Sequence, residues 1–316
     1  MKRKMVILSW LLMIHFFIPV AEAQRTSQAY VVCDDGKIYV IDVEKEQLLA
    51  VSSVIPELTV GRATCIDIDR FKKILYVGCE RRSGKRYMAS KYRRYYPIIA
   101  VDLKRMEVIG KFILDAQNIC PVYELKLSPD GKKIYAGYAH PKYRWSNPAY
   151  GGGSVVVDVS TGSIIRTLSF SVHPYSIFSK DGRKIIEIRT DRVIIYDVER
   201  NKRVSTWKAD ELFKKGLGLN PPGRKLKGPL YIVENHEVLK KIDRLTGKVL
   251  SYLTLDGETA MKYPVITSDG EKVLVSLIKR DFQGYVVIIS SREDKIHAEI
   301  KVGRFPTNVV IRGCNK

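Results

Sequence analysis

Cysteine, histidine and tryptophan are scarce in these 316 residues, at five, five and three copies. Their spacing excludes the common metal and haem arrangements, because no Cys-x-x-Cys, Cys-x-x-Cys-His or His-Glu-x-x-His occurs. No Ser-His-Asp set or nucleophile elbow is present, and Gly216-x-Gly218 lacks the strand-turn-helix context of a phosphate loop. Acidic residues are also short in supply. Against 54 Lys and Arg stand 34 Asp and Glu, a formal charge of +20. A chain so basic favours anionic surfaces or acidic partners. Apolar runs are short too, and the single long one is Val6 to Val20.

That run belongs to a targeting segment. Lys2-Arg3-Lys4 supply a basic start, Val6–Val20 the apolar core, and Ala21-Glu22-Ala23 a small-x-small cleavage site. The core is too short for a permanent span, so no transmembrane anchor is expected after cleavage; an uncleaved anchor is the alternative. Without a cysteine after the core, lipid attachment is not expected. Residues 1–23 therefore read as a signal peptide and 24–316 as one domain in the periplasm or outside the cell. For an exported chain, nucleic acid is not the expected partner; an acidic protein or an anionic envelope polymer fits the charge better.

What fills residues 24–316 is repetition. Tyr123-Glu124-Leu125-Lys126-Leu127 alternates polar and apolar residues, then turns on Ser128-Pro129-Asp130-Gly131 into Ile134-Tyr135-Ala136-Gly137-Tyr138. Ser154 to Val159 and Ile164 to Leu168 follow, joined by Ser160-Thr161-Gly162. Alternation with tight turns predicts four antiparallel strands. The pattern recurs six times from Ala29 to Val302, with no long helix. Five third strands end in aspartate, at Asp42, Asp102, Asp158, Asp197 and Asp243, with Ser290 in the sixth. Such an aspartate caps the following turn through backbone N–H groups, a structural role. Four-stranded sheets with open edges must stack on one another. The first repeat lacks an innermost strand, and Phe305–Ile311 is a surplus one. Pairing the tail beside Ala29–Val32 would close a ring. The expected fold is all-β, a single β-propeller of six four-stranded blades, or seven if the Trp207–Leu230 connection conceals one.

The Ser128–Tyr135 and Val157–Gly162 runs resemble YVTN-type propeller repeats. Within that group the chain is similar to the β-propeller chain of quinohaemoprotein amine dehydrogenases, on the insertion after His140 and the stretch from Glu211-Leu212-Phe213 through Pro221-Pro222-Gly223 to Leu239–Asp243. The resemblance implies a periplasmic, non-catalytic chain that docks a quinone-bearing small subunit and a haem-bearing subunit. No cofactor is expected on this chain itself.

Strand directions put second-to-third-strand loops on one rim of the disc and the Asp-Gly turns on the other. The long loops Glu80–Pro97 and Pro141–Gly153 share the first rim. The former packs Arg81, Arg82, Arg86, Arg93 and Arg94 among Tyr87, Tyr95 and Tyr96, and the latter holds Arg144 and Trp145. Arginine forks bind carboxylate or phosphate, and aromatic rings add flat contact area. These residues are the expected partner-binding surface; a solvated basic loop is the plainer reading. Glu124, His140 and His173 are candidates to face the central channel, too few for a metal site. Cys65 and Cys79 flank one hairpin and are a candidate disulfide, with other pairings open. The leading expectation is a non-catalytic docking module. The alternative is a propeller hydrolase or lactonase with a channel metal, for which only Glu124, His173 and Asn308 are on offer.

Overall fold

A computed structural model describes residues 27–69, 71–81, 97–114, 122–139, 152–172, 176–179, 181–189, 191–214, 228–234, 236–256, 258–259 and 264–312. Six antiparallel sheets follow one another along the chain, so the molecule is a six-bladed β-propeller. Blade 1, from its inner edge outward, is Val310–Arg312, Gln28–Val32, Ile38–Asp42 and Gln47–Val51. Blade 2 is Gly61–Asp69, Ile74–Arg81, Ile98–Asp102 and Glu107–Phe112. Blade 3 is Val122–Leu127, Lys133–Ala139, Gly152–Asp158 and Ile164–Leu168. Blade 4 is Ser176–Phe178, Lys184–Ile188, Arg192–Asp197 and Lys202–Lys208. Blade 5 has Leu230–Glu234, Val238–Ile242 and Val249–Thr254 among the described residues. In blade 6, Glu258–Thr259 and Val265–Ile266 both pair with Lys272–Ile278, followed by Gly284–Ser290 and Lys295–Val302. The Trp207–Leu230 connection opens with a short helix, Ala209–Lys214, whose Ala209 and Leu212 are buried between blades 4 and 5.

The alternation of each strand has a use beyond hiding one face. Odd and even residues feed different cores, one at each blade boundary. Leu75, Val77, Ile99 and Val101 pack toward blade 1, while Tyr76, Ile98 and Ala100 pack toward blade 3. Both faces of every blade are therefore apolar, and each buried aliphatic side chain contributes roughly 1.5–3 kcal/mol. This arrangement decides the cysteine question. Cys65 belongs to the blade 2–3 core and Cys79 to the blade 1–2 core. Although their strands are adjacent, Cys65 stands opposite Gly78 and Cys79 opposite Ala63. The two side chains point to opposite faces of the sheet, so the expected Cys65–Cys79 bridge is corrected.

The ring closes as the tail-to-head pairing requires: Tyr30 pairs with Val310, Ala29 with Ile311 and Gln28 with Arg312. The closing strand is shorter than the Phe305–Ile311 run anticipated. Before Val310 the chain is held by side chains instead. Thr307 N–H donates to the Val32 carbonyl at 2.8 Å, and the Thr307 hydroxyl accepts from Val32 N–H at 3.1 Å.

The strand-end aspartates cap turns. Asp42 Oδ1 accepts the N–H groups of Glu44 and Lys45, Asp102 those of Lys104 and Arg105, and Asp158 those of Ser160 and Thr161. Asp197 takes Arg200 N–H, Asp243 takes Leu245 and Thr246, and Ser290 Oγ accepts Glu293 N–H in the sixth blade. On the same rim Gly131 adopts φ 67°, as its Pro-Asp-Gly turn demands.

Candidate functional site

Two helices of one or two turns aside, all described connections are short, so function falls to the rims. The turn rim holds a cleft of about 410 Å³ between blades 3 and 4, lined by Ser128, Asp130, Lys133, Arg166, Asp181 and Glu199 among others. Its carboxylates are already engaged. Asp130 accepts from Ser128 Oγ–H at 2.6 Å, and Asp181 accepts from Ser179 Oγ–H at 2.6 Å. Arg166 Nη1 donates to the Val198 and Glu199 carbonyls at 2.9 and 3.0 Å, sewing blade 3 to blade 4. The cleft is a structural seam.

The opposite rim carries the loops after each second strand and the passages between blades. Here, where blades 6, 1 and 2 meet, cations and aromatic rings converge. The Arg62 guanidinium carbon lies 4.8 Å from the Phe305 ring centre, and that of Arg304 lies 5.7 Å from Phe305 and 5.9 Å from Phe282. The two rings are 5.8 Å apart. Arg62 also faces Glu80 at 3.6 Å, whereas Arg304 makes no ion pair among the described residues. A cation over a ring face is attracted by the ring quadrupole and keeps its edge N–H donors available.

The backbone beneath this cluster is fixed by close approach. A Cβ on Gly284 would meet the Gly303 carbonyl oxygen at 2.1 Å, and one on Gly303 would meet Cys33 Cβ at 2.6 Å. Only glycine at both positions lets the 303–306 segment lie flat against its neighbours. Asp34 N–H donates to the Arg304 carbonyl at 2.8 Å, and Gln283 Nε2 donates to the Val302 carbonyl.

Of the anticipated binding residues, Arg81 ends the strand Ile74–Arg81 with its backbone opposite Gly61, on this rim. Arg82, Arg86, Tyr87, Arg93, Arg94, Tyr95, Tyr96, Arg144 and Trp145 lie outside the described residues, as do His140 and His173. Glu124 is buried on the inner strand of blade 3, with Lys126 Nζ 3.7 Å away. Asn308 spends both ends of its amide on Ile66, accepting from its N–H at 2.8 Å and donating to its carbonyl at 3.0 Å. No three His, Cys, Asp or Glu side chains converge as a metal set among the described residues. Arg62, Phe282, Arg304 and Phe305 are not among the binding residues expected from the sequence. The signal available was the pairing of arginine with phenylalanine in two rim loops, Arg280-Asp281-Phe282 and Arg304-Phe305.

Fold and rim together define a β-propeller whose loop face, among the described residues, carries an arginine–phenylalanine cluster where blades 6, 1 and 2 meet. No protein-family model matches the chain, and no curated protein matches it in sequence. Solved structures match it in shape. A propeller from the nidogen/laminin complex aligns over 91% of this chain and 100% of its own, at 12% identity and TM-score 0.50. A protein of unknown function from Bacteroides caccae aligns over 90% and 98%, at 9% identity and TM-score 0.50. The Pseudomonas aeruginosa periplasmic gluconolactonase PpgL aligns over 90% and 99%, at 14% identity and TM-score 0.48. At these identities the likeness concerns the fold alone.

Proposed function

We propose that this chain is an exported propeller that serves as a non-catalytic docking subunit, binding an acidic protein partner through its loop rim. The observation that carries the reading is the Arg62–Phe305–Arg304–Phe282 cluster on that rim, in a chain of net charge +20. The polar groups of the inner strands point the same way. Asn308 is committed to Ile66, and Asp67 accepts the N–H groups of Ile68 and Leu127, so both serve to hold blades together. In this reading the sequence from Arg81 to Tyr96, with Arg82, Arg86, Arg93 and Arg94, extends the basic surface beyond the strand end at Arg81. On the same reading residues 1–23 are an export signal, and the partner is met in the periplasm or outside the cell. The YVTN-type repeats and the resemblance to the amine dehydrogenase propeller chain make a redox subunit the favoured partner.

The test is affinity capture from the native periplasm with mass spectrometry, run with wild type and with the Arg93→Glu/Arg94→Glu variant. A discrete acidic protein retained by wild type and lost by the variant is the expected result. Equal capture by both proteins would remove the loop from the reading. Retention of anionic polymer with no protein would replace the docking role with an envelope scaffold.

A further inference from the structure

We infer that Arg304, seated on Phe282 and Phe305 beside Arg62, is the anchor for a carboxylate-bearing segment of that partner. The inference rests on the docking reading and gives it a place. Its first support is charge left without a carboxylate. Lys111, Lys241, Lys272 and Lys279 each hold a carboxylate at 2.6–2.9 Å, whereas Arg304 is exposed and rests on two phenyl faces. A guanidinium lodged beside two rings, with no carboxylate of its own among the described residues, keeps N–H donors free for an incoming carboxylate.

Its second support is a residue that folding alone does not favour. The turns Cys33–Lys37 and Lys279–Gln283 are built alike. In each, the first residue's N–H donates to the carbonyl of the fifth, and the fourth residue's N–H returns to the carbonyl of the first. An aspartate at the third position caps the fifth N–H in both, Asp35 to Lys37 and Asp281 to Gln283. The fourth position is left-handed in both, with φ 74° at Gly36 and 62° at Phe282. Glycine takes that conformation readily and phenylalanine does not. Phe305, its ring neighbour, is left-handed as well at φ 46°. Two strained aromatic residues under one guanidinium mark a place where side-chain chemistry outweighs backbone comfort.

The surroundings choose the class of partner. Asp35 lies against Gly303, and Asp281 shares the turn of Phe282, so negative charge is interspersed with the arginines. A continuous polyanion meets repulsion there, while a folded or extended polypeptide with separated carboxylates and an apolar side chain between them fits guanidinium and phenyl side by side.

The test uses a fluorescent synthetic peptide of alternating Glu and Phe, and polyphosphate of matched charge as competitor. Wild type, Arg304→Glu, Phe282→Gly and Arg93→Glu/Arg94→Glu are titrated in parallel, with a thermal melt of each. Peptide binding by wild type, weakened about tenfold or more by Arg304→Glu, is expected. Phe282→Gly is expected to weaken binding while its melting temperature holds or rises, which separates lost contact from lost fold. Absence of peptide binding, or binding indifferent to both Arg304→Glu and Phe282→Gly, overturns the anchor. If the loop variant alone then loses affinity, the docking reading survives without it; if no variant does, both fall. Arg304-dependent binding of polyphosphate in preference to peptide overturns the polypeptide assignment.

Discussion

Asn308 grips the backbone of Ile66 through both atoms of its amide, at 2.8 and 3.0 Å, and so binds the closing passage to the inner strand of blade 2. Replacing it with alanine removes two hydrogen bonds and strands an N–H and a carbonyl. Asn308→Ala is expected to cost about 1–3 kcal/mol in urea unfolding, and Asn308→Asp, which keeps the acceptor but sets a carboxylate oxygen against the Ile66 carbonyl, at least as much. An unchanged midpoint for the alanine variant would mean that the contact adds nothing to closure.

Closure itself can be tested by deletion. Val309, Val310 and Ile311 are all buried, and the pairing partner they cover is Gln28–Val32. Removing residues 309–316 bares an apolar edge, which recruits other edges. The truncated chain is expected to self-associate or unfold, as read by light scattering during size-exclusion chromatography. A monomeric, cooperatively melting product would contradict this.

Stability is expected to fall in acid. Hydroxyl donors from Ser128, Ser160 and Ser179 chiefly hold Asp130, Asp158 and Asp181 below the ordinary carboxylate range. Asp102 and Asp243 are held down mainly by the N–H groups of Arg105 and Thr246. A carboxylate depressed in the folded state binds more protons when unfolded. Its stabilisation is full above the unfolded pKa and is lost as pH falls through the folded one. Urea midpoints should therefore be level near neutrality and drop below about pH 4. In Asp102→Asn/Asp158→Asn the charge-dependent part of this stabilisation is gone at every pH, so the neutral midpoint should fall and the acid drop should be shallower. An equally steep fall in that variant would assign the acid sensitivity elsewhere.

Cys33 and Cys65 should resist alkylation in the folded protein. Burial pushes both thiols upward, with Asp35 adding to the effect at Cys33 and Glu124 at Cys65. Little thiolate exists near pH 8, and access is closed. Mass spectrometry after iodoacetamide treatment should find both unmodified until denaturant is added. Non-reducing peptide mapping should find no Cys65–Cys79 link, and such a link would require the two sides of the blade 2 sheet to be redrawn.

The propeller was legible because its signals are local and repeated. Pro129-Asp130-Gly131, Asp158 with Thr161, and the period-two runs each specify geometry within a few residues. Closure was legible from arithmetic on strands, a missing one at the head and a spare one at the tail. Blade faces were not. The pattern does not tell which alternate residues turn toward which neighbour when both sides are apolar, and Cys65 and Cys79 were matched across a hairpin on that account. The Arg304 cluster was hidden for another reason. It joins residues 62, 282, 304 and 305 from three blades, and only the closed ring brings them together. Phe305 also looked like strand, since nothing local reveals that the extended run starts only at Val310.

Gln28 and Arg312 sit side by side where the ring is joined, on the rim of the capped turns. The described chain thus enters and leaves the joined sheet on the rim opposite Arg304. The seam that shuts the ring and the arginine cluster therefore occupy opposite faces of the disc, and a contact at one leaves the other uncovered.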